Sequence, residues 1–181
     1  MLKNLIHSKP KQVKIPMPRL LLFVLLSIGI CSCHIYSFTG ASISPDIKTV
    51  SISNFSNTAF IVNPNLSSLL TEKLRDRFIA TTSLSPISKN GDLVFEGSIT
   101  AYTTSPIAIQ ANETAAQNRL TITASVKFTN KKDEKQNYES SFSRFADYQS
   151  SFPLSTVEDE LSRKICDQLV DDIFNKAVVN W

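Results

Sequence analysis

Histidine is nearly absent. The chain has two, His7 and His34, both near the start of its 181 residues. A Ser-His-Asp or Cys-His catalytic set needs an imidazole beside its nucleophile, and no histidine occurs after residue 34. Glycine is as scarce. Gly29, Gly40, Gly91 and Gly97 do not make the spacing of a phosphate-cradling loop. There are three cysteines, Cys31, Cys33 and Cys166. The first two stand together near the start, so Cys166 is left alone and no internal disulfide is expected. No cofactor or metal site is expected from this inventory.

Acidic residues are missing from the front of the chain, whereas Lys3, Lys9, Lys11, Lys14 and Arg19 are all there. An apolar run follows, Leu20 to Ile30 (LLLFVLLSIGI), and then Cys31-Ser32-Cys33. A basic head, a short apolar stretch and a small residue before a break make a secretory signal. The run is too short for a relaxed transmembrane helix, which needs about 20 residues. Maturation of a lipoprotein cuts just before an acylated cysteine, after a small residue, with a branched apolar residue three places back. Ser32 and Ile30 satisfy this ahead of Cys33. Ahead of Cys31 the bulky Ile30 stands where a small residue is wanted. Cys33 is therefore the expected lipidation site, and membrane lipid the expected first partner. The expected division is a signal over 1–32, a lipidated tether over 33–45 and a folded domain over 46–181.

Removing the signal changes the charge. The whole chain carries 19 basic and 16 acidic residues, net +3. The signal holds five of the basic residues and none of the acidic ones, which leaves 14 and 16, net −2. A nucleic-acid partner would need a clustered basic face, and none is expected.

The mature chain patterns as β-α-β-β-β-α. Ile47 to Asn54 alternates as a strand, with Val50 and Ile52 on one face. Asn63 can cap a helix and Pro64 can open it. Leu66, Leu70, Leu74 and Phe78 then repeat at four-residue steps, to an end near Thr81. Asn90-Gly91-Asp92 signals a turn. After it, Leu93, Phe95, Ile99 and Ala101 are expected on one strand face, and Glu96, Ser98, Thr100 and Tyr102 on the other. Leu120, Ile122, Ala124, Val126 and Phe128 alternate with polar residues in the clearest period-two run of the chain. Tyr138 to Tyr148 reads as a less regular strand, suited to an edge. A final helix is expected from about Thr156 to Ala177, with Ser155 and Glu158 spaced as a capping box. Cys166 falls on its apolar stripe. The two amphipathic helices need one apolar sheet surface. The expectation is an α+β two-layer sandwich: a four-stranded, mainly antiparallel sheet with both helices on one face.

No catalytic set emerges. The acidic clusters Glu158-Asp159-Glu160, Asp171-Asp172 and Asp133-Glu134 read as solvated helix-end, helix-side and turn residues. One segment stands apart. Thr103 to Asn118 is long for a hairpin connection and holds the apolar tetrad Pro106, Ile107, Ala108 and Ile109. Either the strands run on and leave a shorter tip, or the tetrad meets a partner. It is a candidate contact together with the Ser/Thr sheet face of Thr121, Thr123 and Ser125.

Several words of the sequence resemble a known family. Cys33 to Gly40 (CHIYSFTG) is similar to the start of divergent LptE-like lipoproteins, which usually show CGIYSFTG; His34 departs from that glycine. Gly91 to Gly97 (GDLVFEG), Asn112 to Leu120, Val126 to Asn130, Ser143 to Ala146 and the ending from Asp172 to Trp181 also match in order. The resemblance implies a four-stranded sheet with two helices and no catalytic residue. It implies an outer-membrane, lipid-anchored protein that assists assembly of, and plugs, an LptD-type β-barrel in lipopolysaccharide transport. Lipopolysaccharide itself is then a second candidate ligand. The competing class is a periplasm-facing lipid-binding lipoprotein that works without a barrel.

Overall fold

A computed structural model describes residues 43–107 and 117–178. The expected signal, Cys33 and most of the tether lie outside the described residues. The chain forms β1 (Thr49–Ile52), β2 (Ser56–Asn57), α1 (Leu66–Thr81), β3 (Ser85–Pro86), β4 (Leu93–Ile107), β5 (Gln117–Asn130), β6 (Tyr138–Gln149) and α2 (Leu154–Val178). The sheet order is β3-β1-β4-β5-β6, and β2 also pairs with β4. The α+β sandwich is as expected, but the sheet has six strands rather than four. Its long strands are antiparallel, whereas β1 and β2 run parallel to β4, and β3 parallel to β1. Parallel neighbours need a crossover, and α1 lies between β1 and β4 in the chain.

On β5 the alternation holds along the run. Leu120, Ile122, Ala124, Val126 and Phe128 are all buried. β4 departs from its expected faces. Its register against β5 shifts between Ile99 and Ala101, the mark of a β-bulge at Thr100. An extra residue reverses every later side chain. Tyr102 therefore turns into the core beside Ile122, and Ala101 turns outward opposite Thr123.

Gly97 faces the core between Phe95 and Ile99 for a steric reason. A Cβ there would stand 2.6 Å from the Phe55 ring and 2.5 Å from the Ser125 carbonyl oxygen. Asn90 opens the turn before β4 with φ of 63°, a left-handed conformation that asparagine tolerates.

Both helices pack on the same sheet face and run parallel to one another. Asn63 bonds to Glu158, Lys73 pairs with Asp167, and Arg77 with Asp171 at 3.2 Å, so partners advance together along the two helices. Between helices and sheet a row of aromatics fills the core. Phe78 lies 5.0 Å from Phe95 and 5.0 Å from Phe174, ring centre to ring centre, and Phe128 continues the row 4.9 Å beyond Phe95.

The helix starts differ from expectation. α1 begins at Leu66, after Asn65, not at Pro64. The Asn63 side chain instead accepts the Asn65 N–H and donates to Glu158. α2 begins at Leu154, so Ser155 is inside the helix and forms no capping box. Glu158 is not merely a solvated first-turn residue: it accepts hydrogen bonds from Tyr102 Oη at 2.6 Å and Asn63 Nδ2 at 2.8 Å. Cys166 is buried on α2, as expected from its stripe, and burial pushes its thiol up to about 12.

Asp92 ties β1 to the start of β4. One carboxylate oxygen accepts from the Lys48 and Thr49 N–H groups and from the Thr49 hydroxyl, at 2.9, 3.0 and 2.9 Å. These donors, the Lys48 N–H first, hold its pKa at about 2, below the ordinary 3.8. A folded-state value below the unfolded one adds stability that is complete above about pH 4 and is lost as pH falls through 2. Asp92→Asn should therefore weaken the domain at neutral pH and flatten its pH dependence between about 4 and 2. Denaturant melts at several pH values test this; an unchanged acid slope would refute it.

Candidate partner-binding surface

The sheet face away from the helices is built from the outward residues of β4, β5 and β6. Register places them in cross-strand rows: Thr103 beside Thr121 and Phe145; Ala101 beside Thr123 and Ser143; Ser98 beside Ser125 and Ser141. Thr123 and Ser143 share a hydrogen bond of 3.0 Å between their hydroxyls. These three rows carry no ionisable group. They expose short hydroxyls that can exchange hydrogen bonds with water or with another polar wall at little cost.

Charge flanks the rows on both sides. On one side Arg119 makes a bidentate pair with Asp147, at 2.7 and 2.9 Å, and lies 3.6 Å over the Phe145 ring. The pair raises the arginine's pKa and lowers the carboxylate's. On the other side Glu96, Lys127 and Glu139 stand in one row.

The expected contact residues fall partly on this face. Thr121, Thr123 and Ser125 are half-buried in its centre. The strands run on to Ile107 and resume at Gln117, so the apolar tetrad is not a free loop throughout. Pro106 and Ile107 end β4, paired with Asn118 and Gln117. Pro106 is exposed, and Ile107 is half-buried on the same face as Thr121. Ala108 and Ile109 lie outside the described residues. Among the described residues no group of His, Cys, Asp and Glu is placed to hold a metal.

Sequence reasoning missed two features. One is the bond of Tyr102 and Asn63 to Glu158, which depends on the bulge. The other is the exposed loop Phe60, Ile61 and Val62 between β2 and α1, whose only signal was three successive apolar residues among turn formers.

The face and the fold can be set against known proteins. No curated protein matches the chain. Among solved structures, the rare lipoprotein B from Shewanella oneidensis is 15% identical, with 71% of this chain and 92% of that one covered and a TM-score of 0.51. A minor lipoprotein from Acinetobacter baumannii is 16% identical, with 74% and 94% covered and a TM-score of 0.49. At these identities the Shewanella likeness concerns the fold alone. The sequence profile of the LptE family, described as lipopolysaccharide-assembly, matches residues 47–177. Those residues span β1 through nearly all of α2, and the chain belongs to the LptE lipopolysaccharide-assembly family.

Proposed function

We propose that this chain is held in the outer membrane by acylated Cys33, and that it assists assembly of, and plugs, an LptD-type β-barrel. The pair would pass lipopolysaccharide to the outer leaflet. Family membership supports the lipopolysaccharide-assembly role. The observation that carries the plug reading is the hydroxyl face of Thr103, Thr121, Thr123, Ser125, Ser141 and Ser143. The inner wall of a wide barrel is polar. A plug must meet it with groups that hydrogen-bond without leaving a charge unpaired. Short hydroxyls on a rigid sheet do this, and they cost little side-chain entropy when immobilised. Ile107 continues the same face toward the β4–β5 tip, so the tetrad from Pro106 to Ile109 would extend the contact. The family is non-enzymatic, and the work proposed here is binding and positioning.

Thr123→Arg together with Ser125→Arg tests the reading. Both positions face away from the core, so the domain's melting point should hold, as surface changes stay within about 0.5 kcal/mol. Recovery of the barrel with the affinity-purified lipoprotein should fall about tenfold or more, the effect of 1.4 kcal/mol lost at the contact. Full recovery of the barrel from outer membranes of the variant strain would overturn the assignment.

A further inference from the structure

The unpaired N–H and C=O groups along a sheet edge are a template for another strand. At the β3 edge most of this template is closed. The Ser85 and Ile87 N–H groups donate inward, to the Lys48 and Val50 carbonyl oxygens at 2.9 Å each. Pro86, between them, turns its backbone outward and has no N–H to give. The cover stops early, however. β3 pairs with β1 at Thr49 and Val50, and β1 runs on to Ile52. Lys48 and Val50 turn their peptide groups toward β3, whereas Ser53 donates to Phe95 of β4. The alternation of a strand then turns the Ile52 N–H and C=O toward the β3 side, beyond the end of β3. Among the described residues the Ile52 N–H has no backbone acceptor there. The Ile52 carbonyl oxygen stands 3.5 Å from Arg75 Nη2, a long contact. The Ile52 side chain is in the core, so the part of it that faces out is backbone.

A groove of about 560 Å³ opens over this backbone. Pro86 and Ile87, both exposed, give it an apolar wall. Arg75 of α1 and Lys89 of the β3–β4 connection flank it, and no acidic residue lines it. Lys73 and Arg77, on either side of Arg75 in the helix sequence, are each paired with an aspartate of α2. Arg75 and Lys89 form no ion pair among the described residues, and the exposed Glu72 and Asp76 of α1 pair with neither.

The groove thus holds an open backbone edge, an apolar wall and two cations without counter-charge. A phosphate or a lipid headgroup would answer the cations and leave the edge unpaired. An extended peptide answers all three at once: main-chain groups for the edge, alternate side chains for the wall and the cations. We infer that an acidic, extended segment of a partner protein adds to β1 in line with β3, bonds to the Ile52 N–H and C=O, and sets carboxylates against Arg75 and Lys89. The groove shares no residue with the hydroxyl face of β4, β5 and β6. The inference does not rest on the barrel reading.

The mature lipidated protein, isotope-labelled and held in detergent micelles, is titrated with a capped peptide of alternating glutamate and valine. Binding should saturate and should move the Ile52 amide proton downfield, as a new hydrogen bond requires. Arg75→Glu with Lys89→Glu should weaken binding about tenfold or more without moving the melting point. A peptide of alternating lysine and valine should then bind that variant and not the wild type. The glutamate–valine peptide methylated on its backbone nitrogens should lose binding to the wild type, because it keeps the charge and cannot pair as a strand. Absence of saturable binding, or binding that leaves the Ile52 amide unmoved, would overturn the inference. So would displacement of the peptide by inorganic phosphate or short-chain phosphatidylglycerol with the same shift at Ile52, which would indicate an anion site and not a strand site. Undiminished binding of the methylated peptide would also overturn it.

Discussion

Phe78→Ala is expected to cost the domain about 3–5 kcal/mol, the usual range for an aromatic removed from a closed core. Phe78 is fully buried and sits where the two layers meet. Its ring touches Phe95 on the sheet and Phe174 on the second helix. Truncation would leave a void that three rigid elements cannot close without breaking other contacts, since α1, α2 and β4 are fixed by ion pairs and strand register. The loss combines the transfer of the ring to water with the unfilled cavity. For a domain of this size it should lower the melting temperature by roughly 10 °C. Phe60→Ala is the matched control, because that ring is outside the core and its loss should change stability little. Denaturant melts of both variants decide the matter: a Phe78→Ala cost below about 1 kcal/mol would show that the core can collapse onto the gap.

Cys33→Ala is expected to abolish membrane maturation altogether. The diacylglyceryl group is transferred to a thiol, and alanine offers none. The precursor should persist with residues 1–32 attached, and acylated product should be undetectable. The anchor energetics make this an all-or-nothing effect. Each buried methylene contributes about 0.8 kcal/mol, and stable attachment takes more than one chain, so no surface residue of the domain can replace it. Mass spectrometry of the wild-type N-terminus should find an acylated peptide starting at Cys33. A peptide starting at Cys31, or normal processing of the alanine variant, would refute the assignment.

Legibility varied with the kind of physics involved. β5 could be read because its alternation is uninterrupted and one face is wholly buried; Leu120 to Phe128 therefore announce both the strand and its orientation. The stripe of α2, from Leu161 to Phe174, was legible for the same reason at the helical period. The bulge at Thr100 was not. One inserted residue leaves no compositional trace, and both Ala101 and Tyr102 are credible on either face, so the faces of β4 could be read only up to Ile99. The parallel strands β2 and β3 are two residues each, too short to show any period, and they exist because β1 and β4 are already in place. Asn63 looked like a cap because its type fits one. Its side chain is drawn away by Glu158, a partner 95 positions along the chain. The hydroxyl centre of the candidate contact, Thr121 to Ser125, was visible as the polar half of a clear alternation. The exposed Phe60 to Val62 were invisible to periodicity, since three apolar residues in a turn belong to no repeat.

The meander from β4 to β6 also sets an order of events during folding. Its register closes on itself from Ile107 and Gln117 outward, and β6 joins after a short link. Such pairings are local, and hairpins form in about 1–10 μs. β1 instead meets the start of β4 across 43 residues, with α1 in between, and must await the closure of that loop. The transition state should then hold β4, β5 and β6 largely formed and β1 largely unpaired. Ile122→Val should slow refolding nearly in proportion to its destabilisation, while Val50→Ala should act mainly on unfolding. The reverse partition in chevron measurements would place the nucleus at the parallel side of the sheet.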